Sequence, residues 1–155
     1  MLKIVVAAAA SLFWTTMAAA GPDEDSIRHL LHSTFDKPDS RLVVDPVVVA
    51  GAHAIAGWSQ GDMGGRALLR SRGGTWPLIL CSGDGIKSAE ALSQAGGSRT
   101  DAAALAARLA EAESKLPRDR LAMFSKFEGT LMMNADGTHP PMQHPVRSIG
   151  EGHSH

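Results

Sequence analysis

The sequence contains only one cysteine, Cys81, among 155 residues. An intramolecular disulfide needs two cysteines, so the fold has to be stabilised by packing alone. Cys81 follows the apolar residues 78–80, and free cysteine is among the most frequently buried residue types. We therefore predict a buried, structural thiol, and the alternative is a disulfide with another chain.

Neither sign of charge dominates the chain. The 15 Lys and Arg residues nearly balance the 16 Asp and Glu residues, which gives a formal net charge of −1 with histidine neutral. A balance of this kind offers no electrostatic attraction to nucleic acid or to an anionic membrane. We expect no nucleic-acid partner.

The sequence contains only one long apolar run, and it lies at the N terminus. A positive start precedes an apolar stretch over residues 4–17, and residues 18–20 are alanines that suit a cleavage site. The stretch is shorter than the roughly 20 apolar residues of a membrane span. We predict that residues 1–20 are a signal peptide removed after about Ala20. The mature protein is then expected in the periplasm, without a membrane span.

The remaining sequence predicts one α+β domain over residues 21–129. Four apolar residues recur at helical spacing near its start, and Asp25 or Ser26 is the predicted N-cap of that helix. Further helices are predicted at 88–94, from Thr100 or Asp101 onward, and at 118–127. The predicted fold is an N-terminal helix on a four-stranded antiparallel meander, followed by C-terminal helices, with a cystatin-like outline.

Four segments have the composition of β-strands: residues 42–49, 52–59, 66–72 and 76–82. Glycine-rich turns separate the second, third and fourth segments, which is typical of antiparallel neighbours. Pro46 predicts that the first segment is an edge strand or is bent, since proline cannot donate to a central ladder. His53 is predicted to be a structural sheet residue rather than a ligand, because no partner lies at a suitable spacing.

Residues 130–155 form a polar, Pro- and Gly-rich segment that we predict to be a flexible metal-binding tail. Thioether sulfur favours Cu(I), and imidazole suits copper, zinc and nickel, so a mixture of the two indicates copper, with Cu(I) preferred and Cu(II) held by the imidazoles. The candidate ligands are Met132, Met133, His139, Met142, His144, His153 and His155.

The sequence does not support all seven candidate ligands equally. His139, Met142 and His144 form the core of the predicted site, because neighbouring prolines stiffen the backbone and lower the entropy lost on binding. Two interpretations remain for Met132 and Met133: their side chains bind the metal, or they pack against the domain. The histidines at 153 and 155 complete the site or form a weaker second one. A histidine-rich end can also be incidental or bind zinc loosely.

A G-x-S-x-G pattern centred on Ser59 matches the nucleophile elbow of α/β-hydrolases, with Asp84 and His139 following in triad order. The elbow requires a turn from a strand into a helix, whereas the residues after Gly61 predict a hairpin into another strand. The chain is also short for that fold. A serine hydrolase is therefore the least favoured function, and we predict that the protein is not an enzyme.

Residues 57–69 (GWSQGDMGGRALL) and 76–83 (WPLILCSG) resemble the copper uptake system-associated proteins, a family of small exported proteobacterial proteins. The resemblance implies a role in the periplasm beside a copper chaperone or an outer-membrane copper uptake protein, and it supplies no catalytic residues. The predicted function is a copper-binding accessory protein that helps copper uptake or hand-over. The alternative is an adaptor or scaffold in which metal binding is incidental.

Overall fold

A computed structural model describes residues 21–134, where five antiparallel strands form one sheet in chain order. The strands are β1 (Leu42–Ala50), β2 (His53–Gln60), β3 (Met63–Arg70), β4 (Leu78–Ser82) and β5 (Thr130–Met132). The α-helices of these residues are α1 (Pro22–Phe35), α2 (Ala89–Gln94), α3 (Arg99–Glu113) and α4 (Arg118–Phe124). The predicted α+β class and the meander are confirmed. None of the helices in this part of the chain combines the length and the apolar composition needed to cross a bilayer.

The prediction of a four-stranded sheet is wrong by one strand. β5 pairs with β4, with Met132 opposite Leu80, and the backbone N–H of Met133 donates to the carbonyl of Ile79 at 2.8 Å. Three residues are too few to show an alternating pattern, and the partner strand is distant in sequence. Residues 130–132, predicted as the start of the tail, therefore belong to the sheet.

Helix α1 begins at Pro22, not after a cap at Asp25 or Ser26. Proline suits the first turn because its missing N–H would have no helical partner there. Three acidic residues follow at positions 23–25, where the positive end of the helix dipole favours them. The Ser26 hydroxyl donates back to the carbonyl of Pro22, so it does not cap the helix.

The other helix ends shift by a few residues. Ser98 caps α3 by accepting a hydrogen bond from the backbone N–H of Asp101, so this helix starts one or two residues before the predicted position. α4 ends at Phe124, three residues before the predicted end. Pro46 was placed correctly, because β1 is an edge strand and its register with β2 shifts between Val44 and Val47.

The sheet is covered on both faces, which makes two separate cores. Ala54 and Ala56 of β2 point to the face that α1 covers, whereas Ile55 points to the opposite face, as strand alternation requires. α1 supplies Ile27 and Leu31 to the first core. α2 and α3 supply the second core with buried leucines, at positions 92, 105 and 109.

Glycines allow α4 to lie directly on β2 and β3. A Cβ added to Gly57 would come within 2.7 Å of the Phe124 ring, and one added to Gly64 within 2.7 Å of the Met123 carbonyl oxygen. Contacts this short exclude any side chain at either position. Helix packing, and not the turn, therefore requires glycine at these two strand positions.

A charged residue, Arg66, is buried in the middle of β3 with 1% of its surface exposed. Its Nε and Nη2 donate to the two carboxylate oxygens of Glu113 at 2.6 and 3.0 Å. Its Nη1 donates to the carbonyl of Gly83 and to Asp84 Oδ1, both at 3.1 Å. The guanidinium also lies 5.3 Å from the centre of the Phe124 ring. One side chain thus connects β3 to α3, to α4 and to the turn after β4.

His53, at the start of β2, is buried with 5% of its surface exposed. Neither ring nitrogen has a hydrogen-bond partner among the described residues. Burial lowers the pKa of His53 below its ordinary value of 6.5, the positive charge of Arg70 lowers it further, and Asp101 partly opposes both. The prediction of a structural histidine agrees with this position in the core.

We predict that removing either partner of the buried ion pair destabilises the fold strongly. Glu113→Ala should lower the free energy of unfolding by about 3–5 kcal/mol, because the buried guanidinium loses its bidentate carboxylate and keeps only Asp84, whose side chain is 59% exposed, as a counter-charge. Urea denaturation at neutral pH measures this change. The matched control is Glu111→Ala in the same helix, since Glu111 is 72% exposed and pairs with Lys115 at the surface. Equal losses in the two variants would contradict the prediction.

We also predict that His53 makes stability depend on pH. The unfolded chain takes up a proton near pH 6.5, whereas the folded chain resists protonation, so the free energy of unfolding falls as the pH drops below that value. The slope from one such group is at most about 1.4 kcal/mol per pH unit. His53→Leu should flatten the dependence between pH 7.5 and 5.5, whereas His29→Leu on the exposed surface of α1 should leave it unchanged. A wild-type slope retained in His53→Leu would exclude this origin.

Candidate functional site

An apolar pocket lies on the α1 face of the sheet, with a volume of about 180 Å³. Every strand contributes to its wall. The lining residues are Leu31, Phe35, Leu42, Trp58, Gln60, Ala67, Leu78, Cys81, Phe127, Leu131 and Met133.

The pocket exists because one helix cannot cover a five-stranded sheet. α1 lies closest to β1, at one edge of the sheet, and its Leu31 and Phe35 line the pocket together with Leu78 and Cys81 of β4. The segment after α4 covers part of the same face. Phe127 contacts Trp58 edge-to-face, with 5.9 Å between the ring centres and an interplanar angle of 80°. The remaining gap is the pocket.

The polar group of Gln60 at the pocket wall is already used by the fold. Its Nε2 donates to the carbonyl of Phe35, at the end of α1, and to the carbonyl of Ser40, in the connection to β1, both at 2.8 Å. The amide thus ties the end of α1 to β2 at the pocket wall. The surface that remains for an occupant is almost entirely apolar.

Cys81 lies in the pocket wall with 8% of its surface exposed, and it forms no disulfide within residues 21–134. Burial raises the pKa of its thiol to about 12, and the indole of Trp58 works weakly in the opposite direction. A thiol of this kind stays protonated at neutral pH and is a poor nucleophile. The prediction of a buried cysteine is confirmed.

The two adjacent methionines of the predicted site have different surroundings. Met132 is the last residue of β5 and is 50% exposed. Met133 points to the opposite face of the strand, where it is half-buried against the first core and lines the pocket. The Met132 thioether is therefore accessible to a metal ion, whereas Met133 is engaged in packing.

The other predicted ligands lie outside the described residues: His139, Met142, His144, His153 and His155. Residues 21–134 themselves contain no group of three or more His, Cys, Asp or Glu side chains placed to hold one ion. The ligand set predicted from the sequence thus stays a prediction, apart from the placement of the two methionines.

Ser59 lies inside β2 and not on a turn into a helix, which the nucleophile elbow requires. Its Oγ accepts a hydrogen bond from Nη1 of Arg120 at 3.1 Å. Asp84 is 3.1 Å from the Arg66 guanidinium. Both side chains are therefore explained by contacts that hold α4 and the turn after β4 against the sheet.

Sequence reasoning missed the pocket and the ion pair. The helical pattern predicts Phe127 in a helix, whereas it lies after α4 in the pocket wall, and the strand pattern places Arg66 without indicating a partner for its charge. An arginine within an apolar strand was the available signal for a buried ion pair, since a buried charge needs a partner. The sequence contains no comparable signal for Glu113, because α3 carries several other charged residues.

Comparison with known proteins finds no matching family model, no matching curated protein and no matching solved structure. The resemblance to copper uptake system-associated proteins and the cystatin-like outline therefore stay predictions.

Proposed function

We propose that the protein is a periplasmic copper-binding accessory protein that binds Cu(I) through its C-terminal Met/His segment. The observation that carries the proposal is the grouping of thioether and imidazole side chains after β5, with His139, Met142 and His144 at its centre. Soft thioether ligands select Cu(I) over zinc, calcium and magnesium. The exposed side chain of Met132 supports the proposal, because it stands at the point where this segment leaves the sheet.

The proposed role is to help copper uptake or to pass the ion to another protein. A site with few ligands, attached to the end of a strand, can exchange its metal with a partner site without unfolding the domain. The proposed partner is a periplasmic copper chaperone or an outer-membrane copper uptake protein. Residues 1–20 support the periplasmic assignment through their signal-peptide pattern.

The fold changes how the metal site has to be tested. A chain ending at Gly129 would lose β5 and also Met133, so its behaviour would mix metal binding with damage to the sheet. A chain ending at Asn134 keeps β5 and removes only the segment that carries the proposed ligands. Point substitutions within that segment are more specific, because they change the proposed ligands and keep the rest of the chain.

We predict that replacing His139, Met142 and His144 together by alanine weakens Cu(I) binding by roughly a hundredfold or more, since loss of ligands exceeds the 10–100-fold effect of losing outer partners. Titration against a Cu(I) chelator measures the affinity. The control replaces the two histidines of α1, His29 and His32, by alanine and should bind like the wild type. Equal affinity of the triple variant and the wild type would refute the C-terminal site.

The two methionines provide a second, matched test of the same proposal. Met132→Leu should reduce Cu(I) affinity several-fold, because it removes an exposed thioether beside the site. Met133→Leu should leave the affinity unchanged, since leucine replaces methionine in the pocket wall with little change in volume. Both variants should denature at similar urea concentrations. The reverse order of affinities would show that Met133, and not Met132, serves the metal.

A further inference from the structure

The chain leaves the described domain at the apolar pocket. Leu131 and Met133 form part of the pocket wall, and Asn134 is the last described residue. Residues 135–155 therefore continue from the rim of an apolar surface. A segment attached at this point meets the pocket at a high effective concentration, whereas a separate molecule would have to be captured from solution.

The size and chemistry of the pocket restrict what can occupy it. A volume of about 180 Å³ compares with the cavity of about 150 Å³ that holds one benzene-sized group, so one or two aliphatic side chains fit and a whole helix does not. The lining residues are apolar, and Gln60 has its Nε2 bound to two carbonyls. The expected occupant is a short aliphatic motif.

The C-terminal segment contains such a motif. Val146 and Ile149 are aliphatic and β-branched, and the polar residues Arg147 and Ser148 lie between them. β-branched side chains have few rotamers, so they lose little entropy when buried. Val146 is twelve residues beyond Asn134, and an extended chain of this length reaches about 40 Å, enough to turn back to the rim.

The connection between the rim and Val146 is long enough for docking. The entropy cost of closing a loop grows only slowly with its length, so the residues between Asn134 and Val146 do not prevent the return of the chain.

We propose that Val146 and Ile149 dock into the pocket between α1 and β5 and close residues 135–145 into a loop. The occupant is therefore a segment of the same chain. This docking does not depend on copper. The proposed docking and the proposed metal site can therefore be tested independently.

The test compares two variants of the full chain, without metal. Val146→Ser with Ile149→Ser removes the aliphatic motif, whereas Gln143→Ser with Arg147→Ser changes nearby polar positions and keeps the motif. Neither variant alters a proposed ligand or a described residue. Nuclear Overhauser effects from the methyl groups of Val146 and Ile149 to the rings of Phe35 and Phe127 give the direct readout.

Cys81 provides the second readout, because it is the only cysteine and lines the pocket. We expect a small apolar thiol reagent to modify it roughly tenfold faster in the Val146/Ile149 variant if the docked state outweighs the open state by about ten to one. The control should react like the wild type. The proposal is overturned if the methyl-to-ring contacts are absent or if the two variants and the wild type react at equal rates. Contacts that arise only between differently labelled copies, or from residues 1–20, also overturn it.

Discussion

The buried pair of Arg66 and Glu113 is the interaction on which the rest of the fold depends. A charge in the middle of a strand costs several kcal/mol unless it is paired and hydrogen-bonded. Here the guanidinium binds the carboxylate with two parallel hydrogen bonds and also reaches Gly83 and Asp84. These contacts hold α3 and the turn after β4 against β3. Phe124, stacked near both Arg66 and Arg120, brings α4 to the same place.

This anchoring makes the two faces of the sheet unequal. On the face of α2, α3 and α4, helices and charged contacts close the surface, and glycines in β2 and β3 permit the close approach of α4. On the other face, the part of the chain that the structure describes places a single helix, α1, which lies closest to β1. The uncovered part is the apolar pocket, bounded by Phe127 and by β5. The pocket thus results from having one helix above five strands.

The position of β5 gives the C-terminal segment its starting point. Strand alternation directs Met132 to the surface and Met133 to the pocket, so adjacent residues of the same type have different roles. The proposed metal binding and the proposed docking into the pocket use different residues of the C-terminal segment, so the two proposals are compatible. The central proposed ligands, His139, Met142 and His144, precede the proposed anchor, which begins at Val146, and the outer candidates His153 and His155 follow it.

The sequence by itself determined the α+β class, the order of the first four strands, the edge position of β1 and the burial of Cys81. These features depend on local signals: alternation, helical spacing, glycine turns and a proline that cannot donate a hydrogen bond. It also supplied the Met/His composition from which a copper site is proposed. Only the tertiary structure decided the fifth strand, the partner of Arg66, the pocket and the difference between Met132 and Met133. Each of these depends on contacts between residues far apart in the chain, and such contacts leave no periodic pattern in the sequence.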